Sequence, residues 1–105
     1  MKIPFGKPII DSREIKAVKK VLTTGTLVHG KKTLEFEENF KRFTKSKYSV
    51  AVSSCTAAMH LFYFTNNIGK GDEVIVPSQT HLATVHAVEL TGAKPIFVDS
   101  EIKTG

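Results

Sequence analysis

Two stretches of this sequence carry groups that bind anions, and a third sets an imidazole beside one of them. The first is Gly25-Thr26-Leu27-Val28-His29-Gly30-Lys31-Lys32-Thr33. It nearly spells the phosphate loop G-x4-G-K-[ST], in which backbone amides cradle phosphates and a hydroxyl ligates magnesium. The hydroxyl arrives one residue late, because Lys32 takes its place. The segment also follows an amphipathic helical pattern where a phosphate loop follows a buried strand, so an ATPase is rejected. The second stretch, Ser53-Ser54-Cys55-Thr56, lies where a β-branched run gives way to a helical pattern. Free amides at such a helix start, aided by the positive end of the helix dipole, bind phosphate without a lysine. Ser54 and Thr56 add hydroxyl donors there. Ser54 reads equally well as a plain helix N-cap, a place serine commonly takes.

The third stretch is Pro77-Ser78-Gln79-Thr80-His81, which ends a strand and opens on the same sheet edge. His81 is the planar side chain placed to lie over a ligand at the Ser54–Thr56 turn, stacking or donating as a neutral imidazole. His29, His60 and His86 have no second ligand at metal spacing, and no metal site is expected. Cys55 has no positioned base, so a small residue filling a tight turn is expected, not a thiol nucleophile.

The elements that must position these groups can be read from spacing. Residues 1–10 read as extended, since Pro4 and Pro8 prevent a regular helix. Asp11-Ser12-Arg13-Glu14 is a capping box opening a helix with Ile15, Val18 and Leu22 on one face and Gly25 as its stop. Thr33 is expected to cap a second helix whose Phe36, Phe40 and Phe43 stripe packs into a core. Tyr48–Ser53 reads as a buried strand, and Cys55–Thr65 as a helix with Ala58, Leu61 and Phe62 on its inner face. Glu73–Pro77 is a second strand, Thr80–Leu90 a helix closed by Gly92, and Lys94–Asp99 a third strand. Strand–helix–strand–helix–strand with short connections means parallel pairing in an α/β sheet. Two parts follow: residues 1–47, an extended segment with two helices, and residues 48–105, a first βαβαβ portion.

The 105 residues allow one domain at most, and 41% hydrophobic with 24% charged residues is an ordinary globular composition. One Cys excludes an internal disulfide framework. The uncharged stretch Tyr48–Gly69 is too rich in Ser, Thr, Asn and His to span a bilayer. No apolar signal core precedes Asp11, so a soluble cytoplasmic protein is expected. Charge is uneven: +7 through Lys47 and −2 after it, within a total of +5. The basic run Lys41–Lys47 reads as a solvated helix C-terminus facing the negative pole of the dipole, with no nucleic-acid-binding module around it.

Several motifs in order resemble a known family. They are Val52-Ser53-Ser54-Cys55-Thr56-Ala57-Ala58-Met59-His60-Leu61, Gly69-x-Gly71-Asp72-Glu73-Val74-Ile75-Val76-Pro77-Ser78, Ala83-Thr84, and Thr91-Gly92-Ala93-x-Pro95-x-Phe97-Val98-Asp99. Ile3-Pro4-Phe5-Gly6-Lys7-Pro8 and the Thr24-Gly25 loop before Leu34-Glu35-x-Glu37 fit the same pattern. Together they resemble the DegT/DnrJ/StrS family of pyridoxal-phosphate sugar aminotransferases, across nearly the whole chain.

The resemblance implies part of a fold-type-I aminotransferase large domain, a mostly parallel α/β sheet with flanking helices, preceded by an N-terminal helical arm. It implies pyridoxal 5′-phosphate as cofactor, with Ser54, Cys55, Thr56 and His81 as its binding residues. The positions of Cys55 and Thr56 hold the cofactor phosphate through backbone amides and the Thr hydroxyl. The position of His81 usually carries Phe, Tyr or Trp stacked on the pyridine face, so histidine is a departure. The implied substrates are a nucleotide-linked keto sugar and an amino-acid donor, commonly glutamate, and the implied assembly is a homodimer. The lysine that holds the cofactor covalently and the Asp that holds its ring nitrogen lie downstream in the family, and Lys70, Lys94 and Lys103 do not match that lysine. On this reading the chain stops within the large domain and is not expected to transaminate alone. A sugar dehydratase of the same family, or a non-catalytic remnant that binds phosphate or a partner protein, are the alternatives.

Overall fold

The computed structural model describes residues 3, 4 and 6–104; Met1, Lys2 and Phe5 of the expected extended opening, and Gly105, lie outside them. The chain divides into two compact units, Met1–Ala51 and Val52–Gly105.

In the first unit, α1 spans Ser12–Thr24 and α2 spans Lys31–Thr44. The capping box forms as expected: Asp11 accepts from the Arg13 amide at 2.7 Å, and Glu14 accepts from the Asp11 amide at 2.8 Å. Gly25 ends α1 in the left-handed region at φ 71°, where a side chain would be strained. The cap expected at Thr33 falls elsewhere. Gly30 is the N-cap of α2, with no side-chain cap, and Thr33 sits inside the first turn donating its amide to the Gly30 carbonyl at 2.9 Å. Gly30 costs nothing at an N-cap, so the helix starts before the hydroxyl residue. The phenylalanine stripe does not enter a core either. Phe36 and Phe40 pack ring to ring at 5.9 Å, yet all three side chains are exposed and Phe43 is 85% so.

Tyr48–Ser53 is not a strand. No described segment forms a ladder with it, and the Ala51 amide donates instead to Glu37 Oε1 at 2.8 Å. A β-branched run becomes a strand only when a neighbour accepts its ladder bonds, and Val50 stays 75% exposed.

The second unit holds α3 (Cys55–Thr65), β1 (Glu73–Pro77), α4 (Leu82–Glu89) and β2 (Lys94–Val98). Its sheet therefore has two strands, not the three read from sequence, and they pair in parallel with Ile75 opposite Ile96. The small core is Val76, Val88 and Ala93, with Tyr63, Ile68, Val74 and Val85 packed against it. Val74 and Val76 face the helices by the strand's alternation, which leaves Ile75 71% exposed on the other side. In α3 the expected inner residues Ala58, Leu61 and Phe62 point to solvent, and Tyr63 meets the core. A helix that is apolar all round does not declare which face it buries.

The helices end alike. Thr24, Thr44, Thr65 and Thr91 each donate a hydroxyl to a carbonyl three or four residues back, at 2.7, 2.9, 2.8 and 2.8 Å. These bonds add a side-chain donor at or just before the last turn of each helix.

Three carboxylates of the first unit are held below their ordinary range. For Asp11 the Arg13 side chain is the main cause, followed by the Arg13 amide; for Glu35 it is Lys32, and for Glu38 it is Lys41. With the folded value below the unfolded one, their contribution is present above the unfolded carboxylate range and lost as pH falls through the lowered values. Amide protection in the first turn of α1 should therefore drop below about pH 4, and high salt should weaken it above that pH. In the second unit, Val88→Ala should cost about 2 kcal/mol in denaturant unfolding, because it empties a site with no exposed surface.

Candidate functional site

The two sequence-predicted anchors sit at the starts of α3 and α4. Ser54 is extended (φ −161°, ψ 162°), and its Oγ accepts from the Ala57 amide at 3.1 Å. The serine therefore caps the helix, as one of its two readings required. That bond leaves two donors over. Among the described residues, nothing accepts from the amides of Cys55 and Thr56, nor pairs with the Thr56 hydroxyl. Cys55 is exposed and free at the first helical position, and Thr56 is half-buried one residue on. Two amides and a hydroxyl belong to the first turn, where the helix carries about half a positive charge. A phosphate group fits this donor set, because it accepts at three oxygens and is negative where the dipole is positive.

His81 is the N-cap of α4, and its Nδ1 accepts from the Ala83 amide at 3.1 Å. In this arrangement Nδ1 carries no proton, the ring is oriented by the helix start, and Nε2 is the edge left to donate. Thr80 and Thr84 bridge the same turn through their hydroxyls at 3.1 Å. The sequence marked His81 as a planar group and did not show that it caps a helix. An imidazole reaching a backbone amide two residues on has no separate sequence signal.

Topology brings these two helix starts to one edge. α4 joins two parallel strands, so it runs back from the carboxyl end of β1 to the amino end of β2. α3 packs along α4 and leads through residues 66–72 to the amino end of β1. The loops that follow them meet there: a Cβ on Gly69 would stand 3.2 Å from the Thr91 carbonyl, and one on Gly92 3.6 Å from the Lys70 amide. With both C-terminal ends at the amino edge, the Ser54–Thr56 turn and His81 share the carboxyl edge, where open α/β sheets hold ligands. Glu37, which pins the Ala51 amide, was visible in the sequence only as part of a family pattern. Among the described residues, no three His, Cys, Asp or Glu side chains gather as a metal site.

Comparison with known proteins places the fold and the family. A sugar aminotransferase of Streptococcus pneumoniae, solved in its PLP form, matches with a TM-score of 0.90 and 36% identity, over 99% of this chain and 26% of that one. A GDP-4-keto-6-deoxymannose-3-dehydratase, solved with a trapped PLP–glutamate geminal diamine, matches with a TM-score of 0.85 and 30% identity, over 98% and 28%. The fold is that of the fold-type-I aminotransferases, of which this chain forms an α/β portion. The UDP-4-amino-4-deoxy-L-arabinose–oxoglutarate aminotransferase of Shewanella sediminis is 46% identical over 97 residues, 92% of this chain and 25% of the relative. Residues 8–105 match the DegT/DnrJ/EryC1/StrS aminotransferase family, and the chain belongs to it. It spans about a quarter of the length of these relatives.

The cap geometry makes a direct prediction for His81. His81→Phe removes the acceptor at the α4 start and should cost about 1 kcal/mol, while His81→Asn should keep most of the cap. Thermal unfolding of the two variants checks the difference.

Proposed function

We propose that this chain forms the cofactor-phosphate end of a pyridoxal-phosphate-dependent aminotransferase acting on a nucleotide-linked keto sugar, with an amino acid such as glutamate as donor. Residues 1–47 form its arm, and residues 48–105 open its cofactor-binding domain. The observation that carries the reading is the pair of acceptor-free amides at Cys55 and Thr56, beside the Thr56 hydroxyl. The family match over residues 8–105 and the PLP-form relative support the same cofactor. When bound, the cofactor supplies an electron sink for moving the amino group.

The residues of this chain act by holding and orienting. The Cys55 and Thr56 amides and the Thr56 hydroxyl take the phosphate, fixing one end of a planar molecule. Ser54 keeps those amides aimed outward by closing the helix start on itself through the Ala57 amide. His81, clamped at Nδ1, offers a ring face and its Nε2 donor at the same sheet edge. Histidine presents a smaller and more polar face than the aromatic rings usual at this position, so orientation rests more heavily on the phosphate end. The proposed enzyme works in the cytoplasm as a homodimer. Bare apolar side chains at Leu61, Phe62 and Ile75 support burial against further protein surface.

A second reading, a sugar dehydratase, is favoured by the match to the GDP-4-keto-6-deoxymannose-3-dehydratase. It uses the same phosphate-binding turn and differs in the group that moves the proton.

Titration of the 105-residue chain with pyridoxal phosphate, followed at the backbone amides, tests the shared part. Cys55 and Thr56 should shift first, and Thr56→Val should weaken binding about tenfold, the worth of one hydrogen bond to a charged group. Borohydride treatment should trap no single dominant lysine adduct. An unchanged affinity in Thr56→Val, or one lysine trapped selectively, would overturn the reading.

A further inference from the structure

The segment between α2 and α3 has no ladder to hold it, and one carboxyl group takes that place. α2 carries three glutamates. Glu35 pairs with Lys32, and Glu38 with Lys41 at 2.6 Å, each within a turn of its own helix. Glu37 takes no such partner among the described residues. Its Oε1 accepts from the Ala51 amide at 2.8 Å, fourteen residues on, and both residues are half-buried.

The path of the chain makes that bond possible. Lys45 turns in the left-handed region at φ 56°, and the Ser46 amide donates to the Lys41 carbonyl at 3.1 Å. The Ser46 hydroxyl then donates to the Tyr48 carbonyl at 3.0 Å. The chain so folds back on α2 and meets Glu37 about two turns before the helix ends. Both partners lie in the first unit, of which Ala51 is the last residue. Val52 and Ser53 follow with no described acceptor for their amides, and then comes Ser54 with its cap on Ala57. The lead into the Cys55 and Thr56 amides is therefore held at Ala51 and at Ser54, with Val52 and Ser53 between.

A helix start is where fraying begins, because its first amides have no acceptor inside the helix. The Ser54 cap needs its residue extended, at φ −161° and ψ 162°, and a restrained lead favours that conformation. Released at Ala51, the lead gains backbone freedom that ligand binding must then remove. A bond from an amide to a carboxylate is about twice as strong as a neutral one, so Glu37 suits the task.

We propose that Glu37 is a positioning residue for the Cys55–Thr56 turn, acting through the Ala51 amide and touching no ligand itself, an inference that rests on reading that turn as the cofactor-phosphate site. It gives one glutamate of α2 a part in binding that its lysine-paired neighbours Glu35 and Glu38 do not share.

Titration of the full 105-residue chain and three variants with pyridoxal phosphate, read at the Cys55 and Thr56 amides, is the test. Glu37→Ala should bind about fivefold more weakly, the ordering of roughly one released residue. Glu37→Gln keeps an acceptor oxygen and should recover most of that loss. Glu38→Ala removes a carboxylate from the same helix and should bind as the unsubstituted chain does. Hydrogen exchange at Ala51 should quicken in Glu37→Ala, while protection at Val88 in the second unit stays unchanged, which separates a loosened lead from unfolding. Equal affinity in Glu37→Ala and the unsubstituted chain would overturn the role of Glu37 and leave the phosphate site standing. An equal loss in Glu37→Ala and Glu38→Ala would overturn it too, by tracing the effect to helix charge. Cys55 and Thr56 amides that stay silent in the unsubstituted chain would overturn both readings.

Discussion

The parallel register between β1 and β2 is the constraint on which the rest of the second unit depends. Two parallel strands cannot be joined by a tight turn, so the chain must cross back, and α4 is that crossing. Val76 from β1, Val88 from α4 and Ala93 before β2 meet in the space between helix and sheet. Once the crossing is fixed, the starts of α3 and α4 lie at the carboxyl edge and their ends at the opposite one. The placement of donors is thus a product of topology, and only their identity is a matter of local sequence.

This separation explains what could be read from the sequence. Asp11, Glu14 and Gly25 bound α1 because caps act over three residues and need no partner. β1 and α3 were recovered to the residue, helped by Pro77 at the end of the strand and Ser54 at the start of the helix. The Ser54–Thr56 turn was legible for the same reason: a serine before a helix start announces both a cap and leftover amides. Tyr48–Ser53 failed where the local rule met a non-local requirement. Its composition suits a strand, but a strand exists only as half of a pair. The inner face of α3 failed differently, because Leu61, Phe62 and Phe64 match the apolarity of Tyr63 and offer no contrast to read.

The threonines at the helix ends give the chain a direction of unravelling. Their hydroxyls bond to carbonyls without using charge, and the last turn of α1 holds no basic residue, so that end depends little on acid or salt. The N-terminal turn of α1 is held by carboxylates and a guanidinium, which are sensitive to both. Under acid stress α1 frays from one end only. Its far end, closed by Gly25 and the Thr24 hydroxyl, keeps its shape until the whole helix is lost.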